Sequence, residues 1–393
     1  MLISFFSNYF NHHQKALCDE LTALEDTEFY FIETQPMEQF RRDMGWQQAG
    51  LPSYVIAAHS SGELENMALE LADRSDLVII GSAPEYYIKK RLEENKLTFR
   101  YTERPMKEGR IKMFIPRLAK KFYELHYKNR DKNIYLLGAS AYAAYDYSLL
   151  HSYPGRCLKF GYFPEGEEKS FEEILSRKNN RPLRILWTGR FLKLKKAELL
   201  LKALGSLKRR GFSFSLLLVG NGEREEALHS LCKSEGLEGD MEFRDFVKPQ
   251  EVRGLMEEAD IYVCTSNHLE GWGSVIYEAL SAGCAVVASH ACGCSPWLIK
   301  QGETGLLFKS GSVSSLERAL EKFLTDEGLR SKCQRGAYEQ MQRTWNPRVA
   351  AKRIREFAGS FYEAGGSESF GPQYEDGPLS RAEILKNNWF KDE

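Results

Sequence analysis

The stretch that decides the fold of this chain reads Ser266-Asn-His-Leu-Glu270-Gly-Trp-Gly-Ser-Val-Ile-Tyr-Glu278-Ala-Leu-Ser-Ala-Gly283. An apolar run at residues 260–264 predicts a strand before it, and the pattern after Gly-Trp-Gly predicts a helix that starts at about Ser274. We expect Ser274 to cap this helix, so that the amides after it lack partners within the helix and can bind phosphate or another anion. Glu270 lies in the loop beside that helix end, and Glu278 lies about one turn inside the helix. Two carboxylates beside an anion site indicate a functional site, in which Glu278 can still reach the hydroxyls of a bound sugar or ribose.

This block resembles the donor site of retaining glycosyltransferases of family 4, which have the GT-B fold. The family pattern is a Glu followed by Gly, seven residues between this Glu and a second one, and Glu-Ala-x-x-x-Gly at the second. The matching residues here are Glu270, Gly271, Gly273, Glu278, Ala279 and Gly283. The resemblance also includes Thr188-Gly189-Arg190, Lys195, Val219-Gly-Asn-Gly-Glu223, Ala285-Val-Val-Ala-Ser289 and Gly302-Glu-Thr-Gly-Leu-Leu307. It covers roughly residues 182–345, whereas the first 165 residues match only in outline.

Length and composition bound the class of protein. A chain of 393 residues is too long for one ordinary core, so two domains are expected. The net charge of -1 gives no general attraction to nucleic acid, and no apolar run is long enough to span a bilayer. The start at Met1 lacks a basic region and predicts a first strand rather than a signal peptide. The eight cysteines are scattered, which indicates reduced thiols in a cytoplasmic protein. Cys292-Gly-Cys294 has no second Cys or His pair at ligand spacing, so it predicts a loop and no metal site.

Short β-rich runs alternate with amphipathic stretches, which predicts parallel sheets with helices on both faces. The predicted strands are 3–7, 29–32, 54–57, 77–80, 98–101, 134–137 and 158–162 in the first half, and 184–188, 215–219, 242–243, 261–264, 285–288 and 306–308 in the second. The fold class is therefore α/β, and the resemblance implies GT-B: two doubly wound, Rossmann-like domains that face each other across a cleft. The predicted boundaries are an acceptor-side domain at 1–165, a linker at 166–181, a donor domain at 182–345, a helix at 346–364 that crosses back to the first domain, and a mobile polar tail at 365–393 with a short helix near 380–387.

Basic residues that follow a predicted strand indicate a diphosphate site. Gly189-Arg190 ends the strand, and Lys195 and Lys196 open the next helix. Negative charge grows on the leaving phosphate when a nucleotide sugar is cleaved, so fixed cations there stabilise the transition state. The resemblance implies that Arg190 and Lys195 bind the diphosphate and, with Glu270, are the catalytic residues. Lys196 stands where the family usually has Gly, which leaves the assignment between the two lysines open. The alternative for these residues is a solvated, basic helix start. The chain has no Asp-x-Asp, which agrees with catalysis without a metal.

Further residues are predicted to contact the donor. Val219-Gly-Asn-Gly-Glu223 follows a strand and opens a helix, but Glu225 replaces the third Gly of a dinucleotide fingerprint. These glycines either lie close to the donor nucleotide, as the resemblance implies, or only form a tight strand-to-helix turn. Val247 is a candidate for pairing with the nucleobase; His268 either contacts the sugar or phosphates or is a surface residue. The full donor-binding set is Gly189, Lys196, Asn221, Val247, His268, Gly271, Trp272, Gly273, Ser274, Val275 and Glu278.

The first domain departs from the family pattern, so its acceptor-side residues are predicted from their position alone. Its first loop reads Asn8-Tyr-Phe-Asn11-His12-His13-Gln14. Asn11 can cap the following helix, and His12 and His13 would then lie at its positive end with lowered pKa values. A later strand leads into Glu103 and Arg104, which are the other candidates. For each of these residues, a purely structural role is the alternative.

Residues 107–132 carry nine Lys and Arg against three Asp and Glu, interleaved with aromatic and aliphatic residues. This segment is either a solvated helix whose other face joins the core, or a surface that contacts anionic lipid near a lipid-linked acceptor. No module that stacks on or reads nucleic acid is recognisable, so nucleic acid is not an expected partner.

Together these features predict a retaining hexosyltransferase. It would move a hexosyl group from a UDP- or GDP-sugar to a hydroxyl of a growing polysaccharide or glycolipid, with the nucleotide sugar as co-substrate and no further cofactor. Retention of configuration is implied by the resemblance and not by any spacing. The alternatives are another GT-B enzyme, such as a phosphorylase or a sugar-nucleotide epimerase, and a protein that binds a nucleotide sugar without turnover. The expected location is the cytoplasm, with peripheral contact at the inner face of the membrane if residues 107–132 bind lipid.

Overall fold

The protein folds into two compact units. The structure, a computed structural model, describes residues 1–43, 45–46, 50–166, 169–178, 182–366 and 374–392. Unit 1 comprises Met1–Glu165 and Thr344–Leu385, and unit 2 comprises Gly166–Arg343 and the segment that begins at Lys386. The chain therefore returns to unit 1 after the core of unit 2 is complete, and its last described residues belong to unit 2 again.

Both units contain a parallel, doubly wound sheet. The strands of unit 1 are β1 (Leu2–Ser7), β2 (Glu28–Glu33), β3 (Val55–Ala57), β4 (Leu77–Ile80), β5 (Thr98–Thr102), β6 (Ile134–Gly138) and β7 (Cys157–Lys159), and those of unit 2 are β8 (Arg184–Thr188), β9 (Ser215–Val219), β10 (Met241–Arg244), β11 (Ile261–Cys264), β12 (Ala285–Ser289) and β13 (Leu306–Phe308). Within the described residues, the order is β3-β2-β1-β4-β5-β6-β7 in unit 1 and β10-β9-β8-β11-β12-β13 in unit 2. The order reverses between β1 and β4, and between β8 and β11. In such sheets, ligands bind beyond the carboxyl ends of the strands at the reversal.

The helices begin at residues that favour a helix start. They are α1 (His12–Thr22), α2 (Gln39–Asp43), α3 (Gly62–Arg74), α4 (Lys89–Glu93), α5 (Pro116–Phe122), α6 (Ala143–Ser148), α7 (Phe171–Ser176), α8 (Ala197–Arg209), α9 (Glu225–Ser234), α10 (Pro249–Glu258), α11 (Ser274–Ser281), α12 (Ser295–Leu298), α13 (Val313–Thr325), α14 (Glu327–Arg343) and α15 (Pro347–Glu363). Asn11 caps α1, as predicted, by accepting a hydrogen bond from the amide of His13 at 3.0 Å. Asn346 caps α15 through the amide of Val349 at 2.8 Å, and α15 packs against α1 within unit 1. Over the part of the chain that is described, no helix has both the length and the apolarity to cross a bilayer.

Apart from the edge strand β10, the strands of unit 2 are buried on both faces, which explains why they read as nearly continuous apolar runs. One core cluster joins Ile185 and Trp187 of β8 to Val263 of β11. Leu200 and Leu204 of α8 are both fully buried in the same cluster, since residues four positions apart share one helix face. This packing holds the carboxyl ends of β8 and β11 side by side, where the candidate site lies.

The α/β, doubly wound fold predicted from the sequence is confirmed, because each predicted strand run overlaps a strand of the structure. β7 is shorter at its carboxyl end than the predicted strand at 158–162, since it ends at Lys159. Its outer edge is paired instead with the C-terminal segment. The amide of Lys159 donates to the carbonyl of Ser380 at 2.7 Å, and the amide of Leu379 donates to the carbonyl of Lys159 at 2.8 Å.

Two segments differ from their predicted character. The predicted linker at 166–181 contains α7, which starts with a capping box of Ser170 and Glu173 and buries Phe171 and Ile174. The described part of the predicted polar tail, 374–392, buries residues 377–380 and has no helix near 380–387. Leu379 and Ser380 are fully buried, because this segment pairs with the otherwise open edge of β7. The residues around Leu379 are therefore ordered by pairing with the edge strand β7.

Candidate functional site

The loops after β8 and β11 are joined at the reversal point of unit 2. The amide of Asn267 donates to the carbonyl of Leu194 at 2.9 Å, and Thr265 Oγ1 donates to the carbonyl of Lys195 at 2.6 Å. Trp187 Nε1 in turn donates to Thr265 Oγ1 at 2.9 Å. Because the carboxyl ends of neighbouring parallel strands meet at one sheet edge, these bonds bring Lys195 close to the loop that carries Glu270.

Lys195 and Glu270 form an ion pair in this loop cluster. Lys195 Nζ donates to Glu270 Oε2 at 2.5 Å, and both side chains are 18% exposed. Ser266 Oγ donates to the same carboxylate oxygen at 3.0 Å. Burial by itself would lower the pKa of Lys195, but the charge and hydrogen bond of Glu270 outweigh it, so the pKa is raised. Lys195 is therefore a fixed cation at neutral pH, held in a partly desolvated position.

The other two basic residues predicted here lie differently. Arg190 follows β8 and is exposed, and no described residue hydrogen-bonds to its guanidinium. Lys196 has a left-handed backbone, with φ of 54°, and its Nζ lies 3.6 Å from Glu198 Oε1. A left-handed position favours glycine, which gives a physical reason for the glycine that the family usually has there. The structure thus directs Lys195, and not Lys196, toward Glu270.

The start of α11 is capped by Gly273 rather than by Ser274, which corrects the predicted cap. Gly273 has φ of 95°, and a Cβ at this position would lie 2.4 Å from Cys292 Sγ. A left-handed turn in so confined a space admits only glycine. Ser274 becomes the first residue of the helix and makes no side-chain cap. The amides of 273, 274 and 275 have no acceptor among the described residues, so they are open to a ligand at this helix end.

Glu278 lies on α11 one turn beyond these amides. Burial raises the pKa of Glu278 to about 7, although Arg253 and Lys195 both act to lower it. No described side chain or amide donates a hydrogen bond to its carboxylate. Arg253 on α10 was not predicted from the sequence; its Nη2 donates to the carbonyl of Ser281 at 2.9 Å and its Nε to Glu257 Oε1 at 3.1 Å. In the sequence, Arg253 stands out only by its i,i+4 spacing to Glu257. This spacing is typical of an ordinary pair on a helix surface and does not indicate a site. Glu278 is thus a carboxylate that a hydroxyl-bearing ligand could engage.

The Gly-x-Gly turn after β9 has a structural explanation. Gly220 has φ of 139°, and a Cβ there would lie 2.0 Å from the carbonyl oxygen of Gly189. Gly222 is similarly close to the backbone of Phe191, whose amide donates to the carbonyl of Asn221 at 2.7 Å. Close packing of two backbone segments therefore requires these glycines, whatever else they contact. This turn supports the loop of Gly189 and Arg190 from behind.

The remaining donor-side residues are divided between buried and exposed positions. Gly271 and Trp272 are buried in the loop before α11, and Val275 is half-buried in its first turn. Val247 is half-buried just before α10, while His268 is exposed. Asn221 is exposed, and its Nδ2 donates to Asp245 Oδ1 at 2.7 Å. In the described part of the chain, no three His, Cys, Asp or Glu side chains converge in a way that would hold a metal ion.

In unit 1, His12 and His13 lie at the start of α1, beyond the carboxyl end of β1. Their ring centroids are 4.0 Å apart, and Trp46 lies edge-on to both rings. Burial lowers the pKa of His12 to about 4. Burial, then His12 and Arg41, lower the pKa of His13 well below its ordinary value. Both imidazoles are therefore neutral at pH 7, and the Nδ1 atom of each is buried without a hydrogen-bond partner.

Glu103 and Arg104 have different surroundings. Glu103 accepts hydrogen bonds from Tyr162 at 3.3 Å and from Lys107 at 3.1 Å, and the ring of Tyr162 lies 5.6 Å from that of His13. Arg104 forms two hydrogen bonds of 3.0 Å to Asp146, and both side chains are buried. The structure thus groups Glu103 with the histidines through Tyr162, which the sequence did not indicate. It commits Arg104 to a buried ion pair, so we do not retain Arg104 as an acceptor-side residue.

Comparison with known proteins agrees with this geometry. Residues 168–340 match the family model described as Glycosyl transferases group 1, which confirms the resemblance over most of unit 2. Among curated proteins, the lipopolysaccharide core biosynthesis glycosyltransferase LpsE of Rhizobium meliloti is 29% identical over 155 residues, 39% of this chain and 43% of that protein. A D-inositol 3-phosphate glycosyltransferase of Corynebacterium aurimucosum is 32% identical over 149 residues, 36% of this chain and 35% of that protein. The chain thus spans less than half the length of these curated relatives.

Solved structures extend the likeness in fold to both units. The crystal structure of HepE from Anabaena in complex with UDP has a TM-score of 0.64 and 17% identity, and the match covers 92% of this chain and 100% of that one. The lipopolysaccharide outer core galactosyltransferase WaaB has a TM-score of 0.62 and 14% identity, with 93% and 100% covered. At these identities the likeness concerns the fold, which is that of GT-B glycosyltransferases.

Proposed function

We propose that this protein is a retaining glycosyltransferase that moves a hexosyl group from a UDP- or GDP-sugar to a hydroxyl of a growing polysaccharide or glycolipid. One observation carries the proposal: the paired Lys195 and Glu270 lie beside three open amides at the start of α11, with the carboxylate of Glu278 one turn away. This set combines groups for phosphate, sugar and ribose within one loop cluster. It stands at the strand-order reversal, where doubly wound sheets bind ligands.

The residues of unit 2 suggest how the donor would be held. The amides at 273–275 and the cations of Arg190 and Lys195 would bind the diphosphate, and Glu278 would accept hydrogen bonds from the ribose. Lys195 would exchange its bond to Glu270 for a phosphate oxygen, which leaves the carboxylate of Glu270 to accept a hydrogen bond from the hexose. The ion pair with Glu270 would thus keep Lys195 in position for the donor.

The chemical step requires charge stabilisation more than proton transfer on the donor side. The bond between the anomeric carbon and the diphosphate oxygen breaks, and the diphosphate keeps the electron pair. The acceptor hydroxyl forms the new bond to the anomeric carbon, and its proton passes to an oxygen of the departing diphosphate. Arg190 and Lys195 stabilise the charge that grows on the leaving diphosphate, and preorganised cations of this kind contribute roughly 3 kcal/mol each. Retention of configuration rests on the family resemblance.

The names of the relatives support a saccharide acceptor. They include a lipopolysaccharide core glycosyltransferase, an amylovoran biosynthesis glycosyltransferase and a GDP-mannose:cellobiosyl-diphosphopolyprenol alpha-mannosyltransferase. The HepE structure contains UDP. These names include both a uridine and a guanosine nucleotide, so the proposal includes both UDP- and GDP-sugars as donors.

An exposed apolar and basic surface in unit 1 supports contact with anionic lipid, where a lipid-linked acceptor would lie. No side chain of residues 110–122 is fully buried, although Met113, Leu118 and Phe122 are half-buried. Phe114 is 79% exposed and Ile111 is 69% exposed, among the Lys and Arg side chains of the same segment. Exposed apolar side chains flanked by cations favour a surface that inserts between anionic headgroups.

Vesicle sedimentation tests this lipid surface. We expect the protein to sediment with vesicles that contain phosphatidylglycerol and not with phosphatidylcholine alone. Phe114→Ser should reduce sedimentation, whereas the matched control Phe40→Ser, at a phenylalanine that is 49% exposed on α2, should not. Equal sedimentation of both variants and the parent would remove the surface from the proposal.

A donor screen tests the glycosyltransferase itself. Thermal denaturation of the full chain would be measured with UDP, GDP and a panel of their sugars, because a ligand that binds only the folded state raises the midpoint. Hydrolysis of the stabilising sugar nucleotide without acceptor would then be followed. Release of the nucleoside diphosphate supports a transferase, whereas binding without any product supports the alternative of a protein that only binds the donor. Failure of every UDP and GDP compound to bind would overturn the proposal.

A further inference from the structure

The Cys292-Gly-Cys294 turn lies directly behind the candidate donor loop and has no role in the function proposed above. Both cysteines are fully buried, as is nearly all of Cys264 at the end of β11. The described residues include no metal-binding group, so this cluster of thiols requires another explanation. All three thiols are unbridged.

Cys292 and Cys294 hydrogen-bond to two backbone carbonyls, those of Trp272 and Gly273. The Sγ–H group of Cys292 donates to the carbonyl of Trp272 at 3.2 Å, and the amide of Cys294 donates to the same oxygen at 2.9 Å. The Sγ–H group of Cys294 donates to the carbonyl of Gly273 at 3.6 Å. These two carbonyls belong to the peptide groups that enter α11. The turn therefore holds the backbone at the point where the open amides begin.

A trans peptide group fixes the direction of its amide once its carbonyl is held. In a planar trans peptide, the C=O and N–H bonds point in opposite directions. The carbonyl of Trp272 points to the thiol cluster, so the amide of Gly273 points away from it. The carbonyl of Gly273 is held by Cys294 and by the amide of Ile276 at 2.9 Å, so the amide of Ser274 points away as well.

We propose that Cys292 and Cys294 are positioning residues, which aim the amides of Gly273 and Ser274 at the diphosphate of the donor. The inference rests on the proposed function, since it concerns the same anion site. A positioning role explains why two thiols face these carbonyls, which burial alone does not explain. Both act through the backbone and not by contact with the ligand.

The chemistry of cysteine suits this role. A donor must keep its proton, and burial raises the pKa of Cys292 well above its ordinary value and also raises that of Cys294. The space is limited too, because Cys292 Sγ lies 2.4 Å from where a Cβ of Gly273 would be. A small side chain with a polar hydrogen can therefore hold the carbonyl from close by.

The test compares nucleotides that differ only in the second phosphate. Affinities for UDP and UMP, and for GDP and GMP, would be measured by calorimetry on the full chain for the parent, Cys292→Ala and Cys292→Ser. A weak hydrogen bond corresponds to about 2- to 10-fold in affinity. We expect Cys292→Ala to lose affinity for the diphosphate by about this factor with the monophosphate unchanged, and Cys292→Ser, which keeps a hydroxyl donor, to recover most of the loss.

Cys333→Ala is the matched control, because Cys333 is also fully buried in unit 2 but lies on α14. It should leave both affinities unchanged. Equal losses for the diphosphate and the monophosphate in Cys292→Ala would indicate general damage to the unit and overturn the inference, as would unchanged binding of both. If the parent itself binds neither UDP nor GDP, the proposed function fails and this inference with it. If the parent binds and only the variants contradict the expectation, the proposed function stands.

Discussion

Replacing Glu278 with Gln should stabilise the protein at alkaline pH, although it removes a group proposed to bind the donor. Burial raises the pKa of Glu278 from its ordinary value of 4.5 to about 7. The folded state therefore resists ionisation of this carboxyl, and a glutamine of the same shape removes the titration. The perturbation tests the electrostatics of the site without requiring knowledge of the substrate.

The sign and size of the effect follow from the two pKa values. Below pH 4.5 the carboxyl is protonated in both the folded and the unfolded state, so it contributes no pH dependence. Between 4.5 and about 7 only the unfolded state ionises, so the free energy of unfolding falls as the pH rises. Above 7 both states are ionised and the penalty is constant. At about 1.4 kcal/mol for each pH unit, it reaches roughly 3 kcal/mol.

Urea denaturation followed by tryptophan fluorescence measures this difference, since Trp187 and Trp272 are buried in unit 2. The advantage of Glu278→Gln over the parent should be below ~1 kcal/mol at about pH 5 and roughly 3 kcal/mol at about pH 8.5. Glu226→Gln, at an exposed position on α9, controls for the loss of a surface charge. A Glu278→Gln variant that is no more stable than the parent at the higher pH would refute the reasoning, because the half-buried carboxylate would then carry no penalty.

Three further predictions concern Arg190, the histidine pair of unit 1 and Arg104. Arg190→Ala should lower kcat/KM by on the order of 10²-fold, because the charge of Arg190 acts on the leaving group. The melting temperature should not change, because the side chain is exposed. Near-normal turnover in steady-state assays would show that Arg190 is not part of the site. His12→Ala and His13→Ala, assayed separately, should each retain nucleotide affinity in calorimetry, and at least one should lose transfer, since these neutral imidazoles lie at the strand reversal of unit 1. Normal turnover of both would reduce this loop to a capped helix start. Arg104→Ala should lower the free energy of unfolding by about 3–5 kcal/mol in urea denaturation, because it leaves Asp146 buried and unpaired. A smaller loss of stability than in the exposed-site control Glu226→Gln would contradict the structural role given to Arg104.

The sequence by itself determined the architecture of both units. The alternation of β-rich runs with amphipathic stretches depends on local periodicity, which is visible in a single chain, and each predicted strand run overlaps an observed strand. The helix start at Asn11 was also readable, because a cap acts within its own turn. The paired glutamates near α11 were recognisable for the same reason, since their spacing lies within one loop and one helix.

Only the tertiary structure decided which side chains face one another. Lys195 and Glu270 are 75 positions apart, and Arg104 and Asp146 are 42 apart, so no local pattern could pair the first two or withdraw Arg104 from the acceptor side. The cap at Gly273 and the thiols behind it depend on a contact with a turn 20 positions along the chain. The packing of residues 374–392 depends on the open edge of β7, which exists only once the sheet has formed. Periodicity records which face of an element is buried, whereas the partner of each buried polar group is set by how distant elements pack.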